Sequence, residues 1–407
     1  MISRRCSIGS ANFLAAFQLR QIAQLVLSQG KSSWWMVLLL WLVAIAPARA
    51  ELLLRVAIDQ DVDQVKVGSS TNAALKDGSG HVLAQIPGMN AVVAQDKAGK
   101  VAVNQVQASQ LWVEPSDGGY VFVSDKWYRG RTLVVPTTGG LTAVNYVDLE
   151  DYLYSVVGSE VYTNWPLEAL KAQAVAARTY ALYQRQTSSN AVFDIGNTVS
   201  WQVYDGMAKE APSTRAAVDA TKGQVLTYNG QIIDAVFHSC SGGYTENVEN
   251  VWMSPLPYLR GVPSFDQNSP DCQWERTFTA DQLRRRVTGV GNIISMTPVA
   301  TGPSGRVRTM RVTGDSGSRT IDGDDLRNAL GLKSTLFQVI PQVNQVASIG
   351  RNVPVAPTAF QVRGAGYGHG LGLSQWGAYN LAQQQWNYQQ ILLHYYTGTS
   401  LAKIEVR

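Results

Sequence analysis

From Pro166 to Tyr180 the chain reads Pro-Leu-Glu-Ala-Leu-Lys-Ala-Gln-Ala-Val-Ala-Ala-Arg-Thr-Tyr, a run that constrains the fold more than any other. Leu170, Ala174, Ala177 and Ala181 recur at helical spacing. Alanine is the best helix former and leaves no long side chain to hold a neighbouring sheet or backbone away, so a tightly packed helix is expected. Pro166 suits the first helical position, where its missing N–H has no role, with the cap near Asn164 or Trp165. A short helix over 149–157 precedes it, and Glu160 falls between the two in a loop. Loops on a rigid scaffold are where catalytic groups tend to sit, so Glu160 is the first catalytic candidate, with a solvated loop carboxylate as the competing reading. Glu168 lies in the first helical turn, where an acid complements the helix dipole. Arg178, among alanines, is expected to face inward with a carboxylate partner, and a structural ion pair competes there with substrate binding.

The first fifty residues read as an export leader. Lys31 opens a short positive region, residues 34–46 are apolar, and Ala48-Arg49-Ala50 offers small residues at a cleavage position after Ala50. The apolar run is short for a span of about 20 residues, and an uncleaved membrane anchor is the alternative. Export predicts a periplasmic or cell-wall location. The leader holds five basic residues (Arg4, Arg5, Arg20, Lys31, Arg49) and no acidic one; 34 basic residues less those five leaves 29 against 30 acidic. The mature chain is thus near neutral, carries no basic stripe, and is not expected to bind nucleic acid.

The 357 residues after the leader suffice for two or three lobes, each with its own core. Residues 51–135 alternate in short apolar runs between Asp, Gly, Ser and Pro turns, which predicts a β-rich lobe. A hairpin is expected across Thr137-Thr138-Gly139-Gly140, and a second across Asn229-Gly230, with strands over 225–228 and 231–237. A short helix is expected over 214–220. Residues 278–339 predict helices near 280–287 and 322–330, with strands on either side of Ser304-Gly305. Val353-Pro354-Val355-Ala356-Pro357 is linker-like. The 11 tryptophans and 17 tyrosines against 9 phenylalanines favour rings with a polar handle, able to stack on sugars or to sit half-buried in a β-rich core.

Two loops draw attention. Two cysteines follow the leader, Cys240 and Cys272, and a disulfide is the preferred reading in an exported chain. Zinc held by His238, Cys240 and Cys272 is the alternative. From Gly364 to Gly372, five glycines on alternate positions surround His369. The run lacks the ending of a phosphate-binding loop; it is expected to let backbone pack beside a ligand and to present His369 without crowding.

Several separated blocks together resemble the stage II sporulation protein D family, whose relatives include the amidase enhancer LytB. They are Val147-Asp148-Leu149-Glu150-Asp151-Tyr152-Leu153, Ser159-Glu160, Pro166 through Tyr180, Phe237-His238-Ser239-Cys240-Ser241-Gly242-Gly243-Tyr244-Thr245-Glu246, and Gly368 through Ala378. The resemblance spans roughly residues 130–400. With the leader (1–50), the β-rich N-terminal lobe (51–135) and the αβ insertion (278–345) read from the residue patterns, it implies an α+β protein whose mixed αβ catalytic core comes in two parts (136–277 and 346–407).

It further implies a peptidoglycan lytic transglycosylase that acts on glycan strands freed of stem peptides and leaves 1,6-anhydro-N-acetylmuramic acid ends. The glutamate of the family's Ser-Glu-Met-Pro motif aligns with Glu160 as general acid and base, but Val161-Tyr162 replaces Met-Pro here. A single carboxyl suffices because the sugar's own C6 hydroxyl can be the nucleophile, whereas a hydrolase needs a second carboxylate. Arg178, His369, Ser374 and Gln375 are the candidates for holding sugar. No cofactor is expected, although family members bring zinc to the His-Ser loop. The rival implication is a non-catalytic wall-binding module that stimulates an N-acetylmuramoyl-L-alanine amidase.

Overall fold

The computed structural model describes residues 52–252, 254–343 and 356–404. The expected leader and the first part of the linker-like stretch, 353–355, lie outside the described residues. Among the described residues no helix is long and apolar enough to cross a membrane.

Two sheets made of alternating strands open the fold. In Leu53–Val62 the side chains of Leu54, Val56 and Ile58 point inward, and in Gln64–Ser69 those of Val65 and Val67 do the same. A seven-stranded sheet and a six-stranded sheet bury these faces in one apolar cluster. The expected hairpin forms between Arg131–Thr137 and Gly140–Asp148, with Thr137 opposite Gly140. Gly140–Asp148 also pairs antiparallel with Leu53–Val62, from Leu53 opposite Asp148 to Val62 opposite Leu141. The N-terminal strands are therefore not walled off: one core runs from Leu54 through the helices to Tyr396.

Among the described residues seven α-helices follow: α1 (Leu149–Glu160), α2 (Leu167–Thr187), α3 (Pro212–Ala220), α4 (Ala280–Arg286), α5 (Gly323–Leu330), α6 (Gln375–Gln383) and α7 (Tyr388–Tyr395). Asp148 caps α1 by accepting from the Glu150 N–H, and Glu150 and Asp151 fill its first turn. The helix runs past its expected end at 157. Gly158 does not break it but makes room in it, because a Cβ there would lie 2.0 Å from the Lys209 carbonyl oxygen. Glu160 is accordingly the last helical residue, not a loop residue, and Val161 leaves in an extended conformation with its side chain buried in the core.

α2 is buried nearly all round. Besides Leu170, Ala174, Ala177 and Ala181, residues Ala172, Val175, Ala176 and Arg178 have no exposed surface. Pro166 stands at its cap, one residue earlier than expected. The second hairpin turns at Asn229 (φ 49°) and Gly230 (φ 76°), the left-handed pair such a turn demands. Its second strand is shorter than expected, Gln231–Ile232. Phe237–His238 pairs instead in parallel with Leu373–Ser374, which carries the chain from the hairpin to the glycine-rich block.

A second apolar cluster gathers Phe278, Leu283, Met310, Leu326, Phe360 and Val362, among others. It belongs to α4, α5 and two three-stranded sheets, built from Ile293–Thr301, Val307–Gly314 and Gly317–Asp322, and from Gln273–Thr279, Phe337–Gln342 and Ala359–Ala365. Ser304, at the tip of its first hairpin, reaches back to Glu246 through its N–H (3.1 Å) and its hydroxyl (2.6 Å). The result is α+β architecture with a β-rich N-terminal region.

Candidate active site

Glu160 ends α1, where the unpaired carbonyls of the last turn disfavour negative charge and no basic residue compensates. Its Oε1 accepts from the Val203 N–H at 2.7 Å. Val203 is held there by its neighbour: the buried Gln202 accepts from the Tyr152 hydroxyl of α1 (3.1 Å) and donates to the Ala177 carbonyl of α2 (3.2 Å). The side chain of Gln375, the first residue of α6, also hydrogen-bonds the carboxyl. Burial pushes the Glu160 carboxyl up to about 7, against the opposing pull of the Val203 N–H and the Gln375 amide. Among the described residues no Lys or Arg forms an ion pair with it. It can therefore hold or release a proton near neutrality.

Two hollows meet at this carboxyl. The smaller, about 360 Å³, is lined by Ser159, Tyr162, Trp165, Lys209, Asp271 and Trp376. The larger, about 500 Å³, is lined by Tyr180, Trp201, Trp252, His238, Arg327 and His369. Glu160, Ser239, Tyr367 and Gln375 line both. The carboxyl thus stands at the neck between the two, with a hollow on either side.

The expected site residues divide. Gln375 and His369 reach the groove. His369 does so with its ring face, because Nε2 donates to the Phe237 carbonyl (3.0 Å) and Nδ1 accepts from the Leu371 N–H (3.0 Å). Burial lowers its imidazole to about 4, so it is neutral at pH 7. Trp252 lies beside it at 5.4 Å between ring centroids.

Arg178 does not reach the groove. It is fully buried, and its Nε and Nη2 grip the Glu150 carboxylate at 3.0 and 2.6 Å. Ser374 is also buried: its hydroxyl donates to Asp266 Oδ2 (2.5 Å) and accepts from the Gly377 N–H (3.1 Å), which makes it the cap of α6. Both residues position α1, α2 and α6 and touch no ligand space.

The donors of the metal alternative have other partners. Cys240 and Cys272 are joined in a disulfide, so neither sulfur is a free thiolate. His238 Nδ1 donates to the Leu371 carbonyl (2.9 Å), which leaves Nε2 to accept from the Ser241 hydroxyl (2.7 Å). Among the described residues no group of three His, Cys, Asp or Glu is placed to hold a metal ion.

The glycine block also differs from expectation. A Cβ at Gly370 (φ 82°) would lie 2.3 Å from Arg306 Nε, and one at Gly368 (φ 107°) 2.7 Å from the His238 Cβ. These glycines make room for protein side chains. Arg306 lies buried against the block, and its Nη2 donates to the Ser241 carbonyl at 3.0 Å.

Residue patterns give no warning of Asp266, which accepts from the N–H groups of Ser241 and Gly243 and the hydroxyls of Ser264 and Ser374, so binding the loop that follows Ser239 to α6. Tyr367, Trp252 and Val203 are equally unmarked, and Tyr162 is marked only as a departure from the family motif. The excess of Tyr and Trp over Phe is the available signal for Tyr367 and Trp252.

A family model described as Stage II sporulation protein matches residues 137–228, and one described as a domain of unknown function matches residues 258–372. An uncharacterized protein of Brachyspira hyodysenteriae is 33% identical over 276 residues, covering 67% of this chain and 72% of that protein. Stage II sporulation protein D of Bacillus subtilis is 33% identical over 288 residues, covering 65% of this chain and 77% of the relative. An amidase enhancer of the same organism is 31% identical over 292 residues, covering 61% of this chain and 40% of its own length.

Proposed function

Because this chain belongs to the stage II sporulation protein D family, we propose that it is a lytic transglycosylase that cuts peptidoglycan glycan strands outside the cytoplasm, with Glu160 as its general acid and base. One observation carries this reading: a carboxyl raised to about 7 stands at the neck between two hollows. A polymer cut within its length needs binding space on both sides of the scissile bond, and this carboxyl has it.

Protonated Glu160 donates to the glycosidic oxygen as the bond to C1 of the muramoyl sugar breaks, and the departing sugar leaves with a hydroxyl. The carboxylate then takes the proton of the C6 hydroxyl as that oxygen bonds to C1, which closes the 1,6-anhydro ring and restores the acid. No water is consumed. Among the described residues lining the hollows the other carboxylate is Asp271, ion-paired to Lys333 at 2.8 Å, so chemistry with one free carboxyl fits better than a two-carboxylate hydrolysis. Positioned proton transfer is worth about 10²–10⁴ in rate. The fixed Val203 N–H and Gln375 amide hold the carboxyl in place for it.

A second reading has its own support in the similarity to an amidase enhancer: the groove binds wall glycan without cutting it and presents it to a cell-wall amidase. The two part in one assay. Denuded glycan strands are incubated with the protein and with Glu160→Gln, and the products are examined by mass spectrometry. Anhydro-ended fragments from the first alone support the transglycosylase; equal yields from both remove Glu160 as the catalyst; no fragments from either support the enhancer.

A further inference from the structure

We infer that Tyr162, which stands where the family motif has proline, is a sugar-stacking platform that sets how tightly glycan is held in the smaller hollow. The inference rests on the glycan-cleaving or glycan-binding reading of the groove. Val161 turns into the core, so the extended chain at 161 turns the next side chain outward. Tyr162 lines the smaller hollow with 63% of its surface exposed, although it is a large ring in a well-packed region.

It is braced from behind. Its ring centroid lies 5.9 Å from that of Trp165 and 6.2 Å from that of Trp376, while those two lie 4.8 Å apart, and both pack on Tyr379 (5.2 and 5.3 Å). The Trp165 N–H donates to the Tyr162 carbonyl at 3.1 Å and closes the turn that carries the ring. Such bracing leaves little rotamer freedom to be lost on binding. A pyranose presents an apolar C–H face on one side and hydroxyls at its edge; an aromatic face with a hydroxyl at its rim matches both. A proline at this position has neither the flat ring nor the reach. The departure from the family motif thus builds a binding surface beside the catalytic carboxyl.

The test uses the chain carrying Glu160→Gln, which binds without cutting, and a denuded hexasaccharide of alternating N-acetylglucosamine and N-acetylmuramic acid. Binding is followed by calorimetry and by the fluorescence of Trp165 and Trp376. Adding Tyr162→Ala should weaken binding about tenfold, a loss of about 1.4 kcal/mol, whereas Tyr162→Phe should stay within about twofold. Because the side chain is mostly exposed, both variants should melt as the parent does. Equal affinity of the Ala variant and its parent overturns the platform and leaves the groove reading standing. A parent that binds no hexasaccharide overturns both.

Discussion

α1 carries a glutamate at each end, and the two are opposites. Glu150 lies in the first turn, where the helix dipole favours its charge; it is buried against Arg178 and accepts the Gly223 N–H at 3.0 Å. Glu160 lies in the last turn, where the dipole opposes charge, and meets an N–H and an amide but no guanidinium. One end is a clamp that ties α1 to α2; the other is a proton store at the edge of a groove. The same side chain becomes structure or chemistry according to whether a cation is buried with it.

The largest expected effect falls on the groove end. Glu160→Gln should lower the yield of anhydro-ended fragments by about 10²–10⁴ or more, with Tm scarcely changed, because the amide oxygen can still accept from Val203. At the other end Glu150→Ala should do the reverse. It strands Arg178 without its carboxylate and should cost about 3–5 kcal/mol, read in a denaturant titration, while the protein that remains folded keeps its rate. Equal effects of the two variants on rate and stability would break the contrast.

Next in size is the disulfide between the neighbours of two groove residues, Ser239 and Asp271. Cys240→Ser with Cys272→Ser opens a bridge between residues 32 apart in sequence, and a loss of about 2–4 kcal/mol is expected from chain entropy. A chelator should leave the melting temperature of the oxidised protein unchanged; a fall would restore the zinc reading of His238, Cys240 and Cys272.

The smallest effect is in pH. The Glu160 carboxyl sits at about 7 in the folded chain against 4.5 when free, so between those values the folded state holds the extra proton. Stability contributed by this group therefore falls as pH rises from 4.5 towards 7 and is level above it. The difference in stability between the parent and Glu160→Gln should track that fall. Since the acid must be protonated to act, kcat/KM should drop about tenfold per pH unit above 7; a flat profile would remove Glu160 from the proton transfer.

Much of this contrast was invisible in the residue order. Glu150 sits in a block with the family's pattern that assigns it no role; the carboxylate partner expected for Arg178 is this one, 28 residues away, so spacing alone leaves the ion pair and the sugar as rivals. Ser374 stood in a family block beside Gln375, but one hydroxyl caps α6 and the neighbouring amide faces the groove. Glu160 itself is legible from its position before the long helix and from its family block. Gly158 concealed that α1 continues to it, since a glycine there marks a close approach by Lys209 and not an end.

What the sequence determined by itself is local or pairwise. The alternating strands, the Asn229-Gly230 turn and the alanine-rich helix follow from side-chain period and allowed φ, and Cys240 and Cys272 are the two cysteines left to pair after the expected leader. The tertiary structure alone decided the site's character. The neck at Glu160 is made by residues of separate segments, Val203, Ser239, Tyr367 and Gln375. Whether a carboxyl is charged or proton-bearing depends on which of those groups, and which cations, the packed core brings within a few ångströms.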